Sequence, residues 1–473
     1  MGWIDIPQVA RYWLLRAHIP LALLVESSPE LATSQTFEGL VLVDVEIRDG
    51  AIASILPSDP QSPRQGAAVD LRGAQVWPCF VDLHTHLDKG HIWPRRPNPD
   101  GTFATALQTV ADDREARWSA EDVYRRMEFG LKCSYAHGTK AIRTHLDSQG
   151  KQAEISWGVF RQLREQWRDR MTLQAVTIVT LDYFSTPAGE QLADLVAESG
   201  GILGGVPLMG PDLAAQLDRF FTLAEERHLH LDLHTDESGN PADVTLQHVA
   251  RQAIARGFAG TIVCGHCCSL SVQPPATVKQ TLDLVAAAGI GIVSLPMCNL
   301  YLQDRHQSAS QSFSQPAAST PNPLTAGITP RWRGVTLLHE LKQAGVSIAV
   351  ASDNCRDPFH GFGDHDMLEV FGMSAKIAHF DMPYGDWPQA VTLTPANLMG
   401  LPEDGRIGVG LPADLVVLRG RNFSELLARH QGDRVVLRNG MAIDTKLPDY
   451  AELDELMPDS SEPILASNPR QEE

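Results

Sequence analysis

Apolar residues along this chain follow two patterns, and the switch between them divides it. Residues 38–57, EGLVLVDVEIRDGAIASILP, alternate apolar with polar and turn at Asp49-Gly50, the pattern of a β-hairpin. β-rich stretches return late, as RIGVGLPADLVVLRG at 406–420 and DRVVLRNGMAI at 433–443, the second with a turn at Asn439-Gly440. Between them, short continuous apolar runs alternate with amphipathic segments. Eight such runs predict strands, near 77–83, 139–145, 172–180, 202–208, 229–235, 261–266, 289–295 and 346–352. Segments such as EDVYRRMEFGLKCSYAHG and GVTLLHELKQAG predict helices between them.

Continuous apolar runs mark strands covered on both faces. Eight βα units in succession favour a closed parallel barrel over an open sheet. The expected fold class is therefore α/β: a (β/α)8 TIM-like barrel over 77–395, with a small β-sandwich domain formed from both chain ends, 1–76 and 396–445, and a tail over 446–473. Residues 306–326, HQSASQSFSQPAASTPNPLTA, have no period. They are expected as either a disordered insertion or a lid over the barrel's C-terminal face. The tail from Pro458 is expected to be loose.

Composition narrows the function. The 473 residues are 43% hydrophobic, enough for one large core and a smaller domain. Net charge is −19, from 39 Lys+Arg against 58 Asp+Glu, and no basic block appears, which argues against nucleic-acid and anionic-membrane partners. No apolar run approaches the ~20 residues of a membrane span. The N-terminal stretch, interrupted by Arg16, His18 and Pro20, lacks the form of a secretory leader. Seven cysteines, at 79, 133, 264, 267, 268, 298 and 355, suggest no disulfide framework in so long a chain. The expectation is a cytoplasmic protein with reduced thiols, a small-molecule substrate and no nucleic-acid or membrane partner, assembling as a homo-oligomer.

The strand ends carry the candidate chemistry. In VWPCFVDLHTHLDKGHI, residues 76–92, an apolar run ends in His84 and His86, and residues i and i+2 of a strand point the same way. The fifth strand ends in His234, with Glu237 three residues on; the sixth ends in His266 and the eighth in Asp353. Imidazoles and a carboxylate from four distant segments, on one barrel rim, form a metal-ligand inventory. Three neutral imidazoles and one carboxylate suit a single borderline divalent ion, Zn or Fe(II). His84, His86, His234 and Asp353 are thus the predicted metal ligands, with a position left for water. Such an ion lowers the pKa of its water toward ~7. The reaction then needs a base for the water's proton and an acid for substrate or leaving group. Glu237 and His266 are the unassigned strand-end groups, and Asp353 is a candidate proton shuttle as well as a ligand.

Lesser signals surround these. Asp88, Lys89 and His91 come just after the HxH motif, and Lys89 either binds substrate or points into solvent. His145 and Asp147, in RTHLD, echo the HTHLD of the first strand and either face the same cavity or support its rim. Trp93, Phe359 and Phe362 either wall the pocket or pack in the core. Cys264-x-x-Cys267 has no second such pair, so it falls short of the four ligands of a zinc knuckle.

HTH at 84–86, His234, His266 and Asp353, in that order, resemble the amidohydrolase superfamily. GTKAIRTHLD, LDLHTDE, NLYLQDR and SDNCRDPF are similar to its cytosine deaminase branch. The likeness spans roughly residues 36–445. It implies a distorted TIM barrel, a β-sandwich from both chain ends and one mononuclear metal site. It also implies hydrolytic deamination of cytosine or a related amino-substituted nitrogen heterocycle: hydroxide on the metal attacks the amino-bearing carbon and ammonia leaves. In that resemblance Glu237 protonates a ring nitrogen and His266 works on the metal-bound water.

Two positions implied to bind substrate depart from the branch. Thr180 stands in place of a glutamine and Asn354 in place of an aspartate. Thr has a shorter reach, and Asn both donates and accepts, so both cytosine and a related ring stay open as the substrate. Relatives with bridged metals use a carboxylated lysine on strand four; here no lysine occurs between Lys151 and Lys279, which disfavours that form. Two other readings remain open from sequence: cleavage of a cyclic amide or an N-alkyl amino group on a similar ring, and a non-catalytic ligand-binding barrel. Intact Glu237, His266 and Asp353 argue against the last.

Overall fold

Sixteen strands organise the described residues, 3–305, 329–429 and 433–457, in a computed structural model. The aperiodic stretch at 306–326 and the tail from Pro458 lie outside these described residues. In order the strands are β1 (Arg11–Pro20), β2 (Leu40–Arg48), β3 (Ala51–Pro57), β4 (Ala67–Asp70), β5 (Gln75–Pro78), β6 (Phe80–Thr85), β7 (Thr139–Asp147) and β8 (Thr172–Ile178). They continue as β9 (Leu203–Gly205), β10 (Leu231–Thr235), β11 (Ile262–His266), β12 (Gly291–Ser294), β13 (Ile348–Val350), β14 (Leu415–Leu418), β15 (Arg434–Arg438) and β16 (Met441–Ala442).

The eight apolar runs become the barrel strands β6 to β13. Parallel pairing joins β6, β7 and β8 in one sheet and β9 to β13 in another. Parallel bridges Val176–Ile202 and Thr180–Val206 link the two on one side, and Thr85–Asp353 links them on the other. Pairing therefore runs round a closed ring, and helices alternate with the strands as expected of βα units. The helix Ala120–His137 shows how the sequence sets these elements. Ser119 caps it by accepting from the Asp122 amide, Glu121 and Asp122 fill its first turn, and Gly138 ends it in a left-handed conformation. Val81, Leu83, Ala141, Val263, Val293 and Ala349, from five strands, pack as one apolar cluster with Ala396 and Met399 at the helix Leu393–Leu398.

Strands from both chain ends form the second unit, in the order β16-β15-β14-β5-β1-β2-β3, with β4 paired to β1. The expected β-sandwich from both ends is realised as one continuously hydrogen-bonded eight-stranded sheet. It has its own core, including Tyr12, Leu14, Val43, Val45, Leu415 and Val417. Both hairpin turns fall where Asn/Asp-Gly placed them: Asp49 and Gly50 have φ of 51° and 84°, and Asn439 and Gly440 have 46° and 72°.

Two boundaries move. The run expected as one strand over 77–83 is divided. Gln75–Pro78 pairs with Leu415–Leu418 in the end sheet, and Phe80–Thr85 opens the barrel. An unbroken apolar run does not mark which sheet covers it, and Pro78, which has no N–H to donate, sits at the break. In the tail, Tyr450–Leu456 forms a short 3-10 helix with a capping box between Asp449 and Glu452, and buries Leu453 against Phe129 and Cys133. Among the described residues no helix is long and apolar enough to cross a membrane.

Candidate metal centre and active site

The C-terminal ends of β6, β10, β11 and β13 bring the predicted residues to one mouth of the barrel. One ligand atom from each of His84, His86 and His234 lies within 4.8 Å of the other two, and the same holds for His84, His266 and Asp353. His86 Nε2 is 3.3 Å from His234 Nε2. Asp353 Oδ1 lies 3.3 Å from His86 Nε2 and 3.6 Å from His84 Nε2. Backbone pairing fixes this register. The Asp353 amide donates to His84 O at 2.9 Å, the His86 amide to Asp353 O at 3.3 Å, and Thr85 Oγ1 to Asp353 O at 2.8 Å.

Local conformation aims the side chains. His266 and Asp353 adopt left-handed φ values of 66° and 58°, which L residues rarely hold outside functional turns. Gly265 leaves room for an imidazole: a Cβ there would meet His84 Cε1 at 3.0 Å.

Burial sets the charges. Desolvation, followed by neighbouring positive groups, holds His84, His86 and His234 well below the ordinary histidine range, so their rings are neutral. Burial pushes the Asp353 carboxyl up to about 8. Both ring nitrogens of His84, Nδ1 of His86 and of His234, and both Asp353 oxygens lack a hydrogen-bond partner among the described residues. An unpaired buried polar atom costs roughly 1–3 kcal/mol, so a cluster of them calls for a common ligand. Neutral imidazoles with a carboxylate are the donors a borderline divalent ion takes, and the residues fit one.

Beside this cluster, His266 Nδ1 lies 3.3 Å from Glu237 Oε1. Asn299, on the helix Pro296–Leu302, bonds both: its Nδ2 donates to His266 Nδ1 at 3.0 Å and to Glu237 Oε1 at 3.3 Å. Burial and then the Asp353 charge raise Glu237 well above the carboxylate range, and burial lowers His266 to about 3. Asn299 is a site residue that the strand-end survey missed, although NLYLQDR carries it. Inspecting the end of the seventh strand as closely as the others would have found it.

Lys89 does not point into solvent. It is buried, with Nζ 2.8 Å from Asp147 Oδ1 and 5.3 Å above the Phe359 ring. Asp147 also binds Arg114 Nη1 at 2.7 Å. His145 stacks on His84 with centroids 3.8 Å apart, above the Arg143–Asp232 ion pair, so it faces the same interior.

Thr180 and Asn354, also expected to bind substrate, make no side-chain bond to the predicted ligands among the described residues. Thr180 lies beyond the end of β8, exposed, and makes no side-chain bond to the cluster among the described residues. Its strand, expected to run to 180, ends at Ile178, and Thr180 bridges Val206 on the barrel ring. Asn354 follows Asp353 but turns into its own loop, where Nδ2 donates to Asp357 Oδ2 at 2.7 Å and Cys298 Sγ sits 3.6 Å from Oδ1.

Trp93 is half-buried, Phe359 buried and Phe362 exposed; Trp93 and Phe362 both meet the Tyr301 ring edge-on. Cys264 and Cys267 are free and buried, and join no metal-binding group among the described residues.

Fold and site together define a barrel hydrolase with a metal-binding mouth. The model of the amidohydrolase family matches residues 142–440, and this chain belongs to that family. A pterin deaminase of Rhizobium rhizogenes strain K84 is 49% identical over 454 residues, covering 96% of this chain and 98% of that protein. The N-isopropylammelide isopropyl amidohydrolase of Pseudomonas sp. strain ADP is 22% identical, covering 79% and 87%. Among solved structures, 5-methylcytosine deaminase from Klebsiella pneumoniae with 5-fluorocytosine superposes with a TM-score of 0.75 at 22% identity, covering 93% of this chain and 98% of that one.

Proposed function

We propose that this protein is a hydrolytic deaminase of a 2-amino-4-oxopteridine, exchanging the ring's C–NH2 for C=O and releasing ammonia. The observation that carries the reaction class is Glu237, a largely buried carboxyl 3.3 Å from His266 and beside the imidazole–carboxylate cluster, whose pKa burial raises. The choice of ring is supported by near-full-length likeness to the Rhizobium pterin deaminase. Cytosine, suggested by motifs alone, becomes the comparator.

His84, His86, His234 and Asp353 would hold one divalent ion, zinc or iron(II). When bound, the ion supplies a nucleophile at neutral pH by lowering the pKa of water toward ~7.

The chain's own groups manage the protons. Of the two protons of the consumed water, one ends on a ring nitrogen and the other on the departing amine. Glu237 stores the first in its carboxyl and is placed to hand it to the ring. Asp353, the carboxylate of the cluster, is placed to take the second proton and return it to the amine. Asn299 donates to His266 Nδ1, so the neutral ring carries its proton on Nε2, where it orients an oxygen by donation.

The test is ammonia release by the metal-loaded protein from 2-amino-4-oxopteridine, cytosine and an N-alkylamino triazine. The pteridine should exceed the others in kcat/KM by at least about 10²-fold, within the range that hydrogen-bonding sites discriminate. Faster cytosine turnover would return the substrate to a pyrimidine. Release of an alkylamine in place of ammonia would favour N-dealkylation. Absence of any product would favour a binding barrel.

A further inference from the structure

A second cluster shares no residue with the site above. It consists of His91, in the loop after β6, Cys355, in the loop after β13, and His365, just before the helix Met367–Ala378. Their relative exposures are 1%, 1% and 2%. One ligand atom from each lies within 4.8 Å of the other two. Both ring nitrogens of His91 and both of His365 lack a hydrogen-bond partner among the described residues. Ordinary buried histidines satisfy at least one nitrogen, so two adjacent rings with none satisfied are the anomaly to be explained.

The surroundings are built to hold these groups in place. The His91 amide donates to Cys355 O at 3.1 Å, tying the two loops through the backbone. The His365 amide donates to the Cys355 sulfur, while burial raises its thiol well above the ordinary range, so a cation must displace the proton as it binds. His91 and His365 both adopt left-handed φ values, 64° and 56°. Phe129 packs edge-on to His91 with centroids 4.8 Å apart and helps exclude water.

We infer that His91, Cys355 and His365 bind a second metal ion, a thiophilic divalent cation of the zinc class. Two imidazoles and a thiolate are zinc's preferred donors. The nearby carboxylate of Asp364 is engaged by His137 and Tyr450, each at 2.9 Å, so water completes the tetrahedron. As the sulfur binds, its S–H proton is released to solvent. Cys355 is two residues beyond Asp353 and His91 five beyond His86. The ion therefore staples together the two loops that present predicted ligands of the first centre. Its role is structural, and it does not depend on the substrate proposed above.

Zinc content of the full-length protein, grown with zinc and freed of loose metal by gel filtration, tests this. Two zinc ions per chain are expected in the wild type and one in Cys355→Ser and in His365→Gln. X-ray absorption of the wild type should show a sulfur scatterer at about 2.3 Å. That scatterer should vanish in Cys355→Ser and persist in Cys298→Ser, which removes the thiol beside Asp353. One zinc per chain in the wild type, no sulfur scatterer there, or two zinc ions in Cys355→Ser overturns the inference. Should the variants fail to fold, the wild-type absorption spectrum decides alone.

Discussion

Glu237 Oε1 lies 3.3 Å from His266 Nδ1, and the same Asn299 amide nitrogen reaches both. A carboxyl from the segment after β10 and an imidazole from the end of β11 are thus held as one unit by a residue following β12. In the proposed reaction the carboxyl is the acid. Glu237→Gln keeps shape and removes the transferable proton, so it should retain the metal and lose at least ~10²-fold in kcat, the scale of general acid catalysis. Near-full activity at full metal content would take Glu237 out of that role.

Asn299→Leu tests the clamp separately. Losing the bonds to His266 and Glu237 removes about 1 kcal/mol of orientation for each. We expect kcat to fall about tenfold or more with metal content unchanged. Unaltered kcat would make Asn299 a packing residue.

The pH profile follows from the direction of the Glu237 shift. Burial and the Asp353 charge raise its pKa, so the protonated form persists at neutral pH and is lost as pH rises through the raised value. The kcat profile should therefore carry an alkaline limb that is absent from the residual activity of Glu237→Gln. The same sign governs stability. A group whose folded pKa exceeds its unfolded one contributes most below the unfolded value, and that contribution disappears as pH climbs through the folded one. A limb unchanged in Glu237→Gln would assign it to another group.

Most of the first cluster was legible because the barrel converts chain order into a ring. Once eight apolar runs are read as parallel strands, their C-terminal residues must share a rim, and His84, His234, His266 and Asp353 meet without any tertiary knowledge. What the sequence hid depends on contacts between elements. Asp147 as the partner of Lys89 comes from the neighbouring strand β7, at a spacing that no local motif encodes. The division of the 77–83 run was invisible because both of its halves are equally apolar. The third barrel strand ends at Ile178 where 180 was expected, because the apolar run outlasts the strand pairing. His91, Cys355 and His365 looked like unrelated residues because two loops and a helix start converge on them only in space.

Beneath the site, Arg143 Nη1 lies 2.8 Å from Asp232 Oδ2, both side chains almost wholly buried. Asp232→Ala would strand the guanidinium inside the barrel, at a cost of about 3–5 kcal/mol for a broken buried pair. Urea unfolding should register that loss. A change below about 1 kcal/mol, the scale of a surface pair, would mean that water reaches the interior there.

Gly265 gives a steric test of the cluster. A methyl group would press on His84 Cε1 at 3.0 Å. Gly265→Ala should weaken metal retention during chelator challenge without unfolding the chain. Equal retention would show that His84 can shift without loss of the site.

The central claim is that His84, His86, His234 and Asp353 share one ion at the barrel mouth. Anomalous diffraction from metal-loaded crystals, recorded on either side of the metal's absorption edge, tests it most directly. A peak enclosed by those four side chains is expected, with ligand distances of ~2.0–2.2 Å. Fully loaded crystals with no anomalous density among them, whether or not a peak appears at Cys355, would contradict it.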